Sequence, residues 1–202
     1  MSLKLKFFAA ALSATLLAAC GDKPATTSAA PAGPTGTQSA TQAPSPAAIA
    51  AEAKGFTVGS EMNVRRVFVF FDPQCPHCAA LWQAAKPLRS QARFIWIPVG
   101  LMNPNSTLQG ATLLAASDPV EAMDRHEASI LAKQGGIAPA ADIEAQKQAV
   151  AANTALMNRY GFASVPTIVA NHAVTGEVVV KEGSMPTSVL ANALGLQVPA
   201  GN

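Results

Sequence analysis

The stretch "RRVFVFFDPQCPHCAALW", residues 65–82, constrains the fold more than any other part of the chain. Residues 65–72 are β-branched and aromatic almost without a break, as in a strand covered on both faces. Cys75-Pro76-His77-Cys78 follows at once, and a helix is predicted from Cys75 to about Ser90, with Pro87 as a kink. Two thiols at this spacing serve as a redox couple, as half of a metal site or as part of a haem attachment, or they are accidental neighbours.

The local physics favours a redox couple. Cys75 is expected where the strand ends and the helix begins. Free backbone N–H groups and the positive end of the helix dipole point there and favour thiolate over thiol. Cys75 is therefore read as the attacking sulfur of low pKa, and Cys78, one turn deeper on the same side, as the resolving sulfur. Pro76 suits a first helical turn because its missing N–H is not needed there. His77 can place positive charge near the thiolate, which moves the couple toward an oxidising potential. The rival readings lack parts. A c-type haem site needs histidine directly after the second cysteine, and position 79 is Ala. A closed zinc site needs four ligands, and beyond the motif the chain offers only His126 and His172. A purely structural bridge over so short a loop would constrain the unfolded chain little.

The third cysteine belongs to a different kind of segment. The start, "MSLKLKFFAAALSATLLAAC", has Lys4 and Lys6, an apolar run from Phe7 to Ala19, and small residues before Cys20. This is the layout of an export signal. As a helix the apolar run would rise only ~20 Å, short for a membrane span. Leu17-Ala18-Ala19-Cys20-Gly21 resembles the bacterial lipobox, in which cleavage precedes a cysteine that then carries lipid. With Cys20 acylated, Cys75 and Cys78 can pair only with each other or with another molecule. Export also places them where disulfides persist. Residues 20–47 are almost all Ala, Pro, Ser, Thr, Gly and Gln, too poor in apolar side chains to offset ordering entropy. They are read as a tether with an r.m.s. span of ~25–30 Å, longer with proline stiffening. Lys plus Arg number 14 and Asp plus Glu 12, so losing Lys4 and Lys6 leaves 12 against 12. A chain so near neutrality has no electrostatic footprint for nucleic acid.

The rest, 48–202, is read as one domain with an α/β layout. "GFTVG" (55–59) is an edge strand and "RFIWIPV" (93–99) the next strand. Residues 106–160 are helical, with Asp118-Pro119-Val120-Glu121 as a capped start. "TIVA" (167–170) and "EVVV" (177–180) form a hairpin turning at Thr175-Gly176, and "PTSVLANALG" (186–195) is a last helix ending at Gly195. Pro166 in "SVPT" stands before a strand, where proline is tolerated.

Together, "VFVFFDPQCPHCAALWQAAKPL", the helical insertion, "SVPT" and the loop at Gly183 resemble the catalytic domain of the periplasmic DsbC and DsbG disulfide isomerases, DsbG most, over residues 55–196. The resemblance implies a thioredoxin fold with a helical insertion and thiol–disulfide exchange through Cys75 and Cys78. It implies that Pro166 is a cis-proline packed against the pair, with the Val165 backbone receiving an extended substrate chain. No cofactor is implied. The implied partners are proteins with thiols or disulfides and a membrane redox partner that resets the pair. The chain is expected in the periplasm, held to the inner or outer membrane by lipid on Cys20. A tether stands where the family has an N-terminal dimerisation domain, so a monomer is expected. Pro76-His77 and Val165 are more like the oxidase DsbA, which keeps an oxidase as the alternative. A copper-handling thioredoxin-fold module is the non-catalytic rival.

Other side chains are read as structural. Asp72 caps a turn or influences Cys78. Phe70, Phe71 and Trp82 belong to the core or line a groove. His126, beside Glu127, and His172, in the hairpin turn, are expected to face solvent. Met185 and Pro186 are placed near the active site by resemblance.

Overall fold

The computed structural model describes residues 43–200. The segment around Cys20, with the signal and most of the tether, lies outside the described residues. Helix α1, Pro46–Glu52, begins inside the segment read as tether. Its start is local chemistry: Ser45 caps the Ala48 N–H and Pro46 opens the first turn. Ile49 then buries one face against the sheet.

Strands β1 (Phe56–Val58), β2 (Arg66–Phe71), β3 (Arg93–Pro98), β4 (Thr167–Asn171) and β5 (Val178–Glu182) form one sheet in the order β1-β3-β2-β4-β5. β2 runs parallel to β3 and antiparallel to β4, so it is central, as its apolar run requires. Its side chains alternate between two cores. Val67, Val69 and Phe71 face helix α2 (Pro76–Ala85) and helix α6 (Thr187–Leu194). Phe68 and Phe70 face α1 and helix α5 (Glu144–Arg159). On the first face, Trp82 packs edge-on against Trp96 at 5.0 Å, and Phe71 against Trp96 at 5.5 Å.

Pro87 stands in a short 3₁₀ turn, Lys86–Leu88, that ends α2. The helical insertion comprises helix α3 (Pro104–Ala115), helix α4 (Pro119–Leu131) and α5. Asp118 caps α4 through the Glu121 N–H at 2.9 Å. A loop over 132–143 separates α4 from α5, a break inside the stretch read as helical. Gly195 ends α6 at φ 68°, the left-handed conformation that favours glycine. Among the described residues no helix is long and apolar enough to cross a membrane.

Candidate active site

β2 delivers the chain to the site and α2 carries it away. Between them, Cys75 occupies the N-cap of α2 and Pro76 its first turn. The Cys75 carbonyl accepts from the Cys78 N–H at 3.0 Å and the Ala79 N–H at 3.2 Å, which puts Cys78 one turn below. Both thiols are free. Cys75 is 5% exposed and Cys78 wholly buried, so the two equal groups meet unequal surroundings.

Their proton affinities diverge accordingly. A hydrogen bond from the Cys78 thiol is the largest influence on Cys75 and favours its thiolate. Burial opposes this, while the backbone N–H groups of Cys78 and His77 and the His77 charge add to it. The net effect brings Cys75 down from 9.0 to about 6. Burial pushes Cys78 well above the ordinary thiol value, and its donation to Cys75 and the negative charge there push the same way. The His77 charge is the smallest of the influences on Cys75. His77 is exposed, with Nδ1 3.5 Å from the Ser184 hydroxyl.

The Val165–Pro166 peptide bond is cis, and the Val165 carbonyl oxygen lies 3.7 Å from Cys75 Sγ. Pro166 is buried and its carbonyl accepts from the Gly183 N–H at 2.8 Å. This ties β4 to the loop before α6. Met185 of that loop packs against the core cluster that holds both cysteines, and Pro186 caps α6. Residues from 75, 77, 165 and 184 thus meet at one end of the sheet.

Asp72 is buried and anchors the approach to the motif. Its Oδ1 accepts from the Gln74 N–H at 2.8 Å and the Ser106 hydroxyl at 2.7 Å. Its Oδ2 accepts from the Leu101 and Met102 N–H groups at 2.7 and 3.0 Å. The turn-capping reading was right but too small, because three of its four donors come from the segment after β3. Phe70, Phe71 and Trp82 are core residues, each at most 1% exposed.

The expectation for His126 is overturned. It is wholly buried, with Nε2 2.7 Å from the Pro73 carbonyl and Nδ1 accepting from the Ile137 N–H at 3.2 Å. Since Nδ1 accepts, Nε2 carries the proton and donates. Both ring nitrogens are therefore engaged two residues from Cys75. His172 is half-buried rather than free in solvent, and its Nδ1 accepts from Thr175 N at 3.2 Å. Glu127 is wholly buried as well, and neither carboxyl oxygen has a hydrogen-bond partner among the described residues. The spacing Met123, His126, Glu127, Ile130 marks one helical face, a signal present in the sequence.

No family model matches the chain. It is 33% identical over 134 residues to the thiol:disulfide interchange protein DsbG of Pseudomonas aeruginosa, a match covering 65% of this chain and 51% of that protein. The chain thus spans about half the length of that curated relative. The catalytic domain of Proteus mirabilis ScsC superposes with a TM-score of 0.55 at 18% identity, covering 74% of this chain and 96% of that one. A periplasmic thioredoxin-like protein from Salmonella enterica serovar Typhimurium gives 0.54 at 17% identity, covering 70% and 88%.

Proposed function

We propose that this chain, a thioredoxin-fold relative of the DsbG interchange proteins, is an exported thiol–disulfide oxidoreductase acting on protein substrates. The observation that carries the reading is two free thiols at one helix start, Cys75 at the N-cap beside Val165 and cis-Pro166 and Cys78 buried one turn below, with opposed proton affinities. A pair so arranged has a nucleophile ready at neutral pH and a second thiol held in reserve.

In the proposed cycle, Cys75 thiolate attacks one sulfur of a substrate disulfide. The substrate S–S bond breaks, a Cys75–substrate bond forms, and the other substrate sulfur leaves as thiolate. If a second substrate thiolate then attacks the substrate sulfur of the mixed disulfide, Cys75 is released and the disulfide has moved, which is isomerisation. If Cys78 loses its proton and attacks Cys75 Sγ, the pair becomes oxidised and the substrate leaves reduced. The backbone of Val165, next to Cys75 and preceding cis-Pro166, is the proposed seat for an extended substrate segment. Isomerase or reductase activity is the preferred direction, from the likeness to DsbG. A DsbA-like oxidase is the second reading. The value of about 6 at Cys75 favours it, because a stabilised thiolate stabilises the reduced pair and makes the oxidised pair a stronger oxidant. A periplasmic location, a lipid on Cys20 and a membrane redox partner complete the proposal.

The deciding experiment is trapping. Cys78→Ala should accumulate mixed disulfides with substrate proteins through Cys75, and Cys75→Ala should trap far fewer. Equal trapping by both variants would remove the assigned division of labour. No exchange with any disulfide by wild-type protein would remove the oxidoreductase reading.

A further inference from the structure

Helix α4 lies against α2, and its buried stripe is Ala122, Met123, His126, Glu127 and Ile130. Met123 belongs to the same packed cluster as Cys75, Cys78 and Trp82. Polar groups that α4 turns toward α2 and the loop before it are satisfied, with one exception. Asp124 accepts from Trp82 Nε1 at 2.7 Å and pairs with Lys86 at 2.5 Å. His126 holds the Pro73 carbonyl. Glu127, one helical turn from Met123, has no donor among the described residues for either oxygen. An unpartnered buried carboxylate is costly, so such a group keeps its proton unless something else requires the charge.

The groups around it are few. Asp72 follows β2 with four donors on its carboxylate. Cys75 and Cys78 stand at the start of α2, and His77 is turned toward Ser184. Asp124 and His126 are its neighbours on α4. β1 and α3, the other elements packed on α4, carry no titratable side chain.

Resting on the oxidoreductase reading, we propose that Glu127 is a redox-linked proton site of the Cys75–Cys78 pair, holding its proton more tightly when Cys75 is a thiolate than when the pair is a disulfide. Glu127 acts through Cys75 and is a positioning residue in this sense. A substrate dithiol gives up two electrons and two protons as its own disulfide forms. At a pH between the titrations of Glu127 in the disulfide and the reduced states, the Cys75–Cys78 bond breaks, Cys78 takes one proton, Cys75 remains a thiolate, and the Glu127 carboxylate takes the other proton. In that interval Glu127 and Cys75 share one negative charge between them before and after, moved from Glu127 to Cys75, so the low-dielectric interior does not hold both. In the reduced protein, burial first, then the charge of Cys75 and then that of Asp72 together raise Glu127 from 4.5 to about 9. Formation of the disulfide removes the Cys75 contribution and leaves the other two.

The test counts protons. Each proton taken up with the two electrons shifts the midpoint potential by ~30 mV per pH unit, a tenfold change in the equilibrium. Above the Cys75 value, wild type should show a pH interval in which reduction takes up two protons, a slope of ~60 mV per pH unit by that constant. Glu127→Gln should take up one proton throughout that interval. The reduced-minus-oxidised infrared spectrum of wild type should contain a protonated-carboxyl band that Glu127→Gln lacks. Cys75→Ser, which keeps Glu127 in place and covers the case of a Gln variant that does not fold, should titrate that carboxyl at lower pH than the reduced wild type. Equal slopes in wild type and Glu127→Gln, or a carboxyl whose titration is the same in Cys75→Ser, would overturn the inference while leaving disulfide exchange intact. Absence of exchange in wild type would instead bring down the oxidoreductase reading, and this inference with it.

Discussion

Cys75 and Cys78 are the same chemical group three positions apart, and their environments pull them in opposite directions. Cys75 meets donors at a helix start, whereas Cys78 is sealed beneath it. Alkylation of the reduced protein should modify Cys75 first, with a rate that rises with pH to half its limit near about 6. The order of causes sharpens this. The Cys78 thiol is the largest influence on Cys75 and the His77 charge the smallest. Cys78→Ala should therefore move the alkylation midpoint upward by more than His77→Ser does. The reverse order would make the histidine, not the neighbouring thiol, the main tuner of the site.

At the scale of an element, α4 both supports the loop before α2, through His126 on the Pro73 carbonyl, and burdens the fold. For Glu127, the folded protein keeps a proton that the unfolded chain has released between 4.5 and about 9. Stability contributed by this residue therefore falls as pH rises through that window. Glu127→Met fills a similar volume with no polar atom to satisfy. It should stabilise the reduced protein at neutral pH by ~1–3 kcal/mol, with a larger gain at pH ~8 than at pH ~5. His126 has the opposite sign. Burial lowers it from 6.5, so as pH falls below 6.5 the unfolded chain takes up a proton that the native ring resists. The protein should lose stability on acidification through that range. His126→Gln, which keeps a donor and an acceptor but cannot charge, should flatten that loss. Urea denaturation across pH checks both substitutions.

At the scale of the whole molecule, the expectation concerns attachment. Leu17-Ala18-Ala19-Cys20 follows a short apolar run, and helix α1 begins at Pro46, some two dozen residues later. Cells given a labelled fatty acid should label the wild-type protein, and Cys20→Ala should abolish the label. Label retained by Cys20→Ala, or none on wild type, would leave the chain with an ordinary export signal. Membrane tethering would hold the exchange site near a membrane-bound redox partner, which raises the effective concentration of the two without any new contact.

The strand–cysteine–helix joint, the succession of strands and helices along an α/β chain and the caps at Asp118 and Gly195 were legible in the sequence because they rest on local rules. A continuous β-branched run needs two covered faces, a cap side chain answers the nearest free N–H groups, and glycine accepts a positive φ. The start of α1 was legible too, in Ser45-Pro46, but the low-complexity residues before it hid the signal. What the tertiary structure alone decided is which groups the buried polar side chains meet. Asp72 collects donors from a segment some thirty positions away, and His126 reaches back to Pro73 across more than fifty. Glu127 is buried because α4 packs on α2, not because of any residue beside it in the chain. Burial and long-range hydrogen bonding set the proton affinities of this site. Both depend on which elements meet, and a residue's type and immediate neighbours do not specify that.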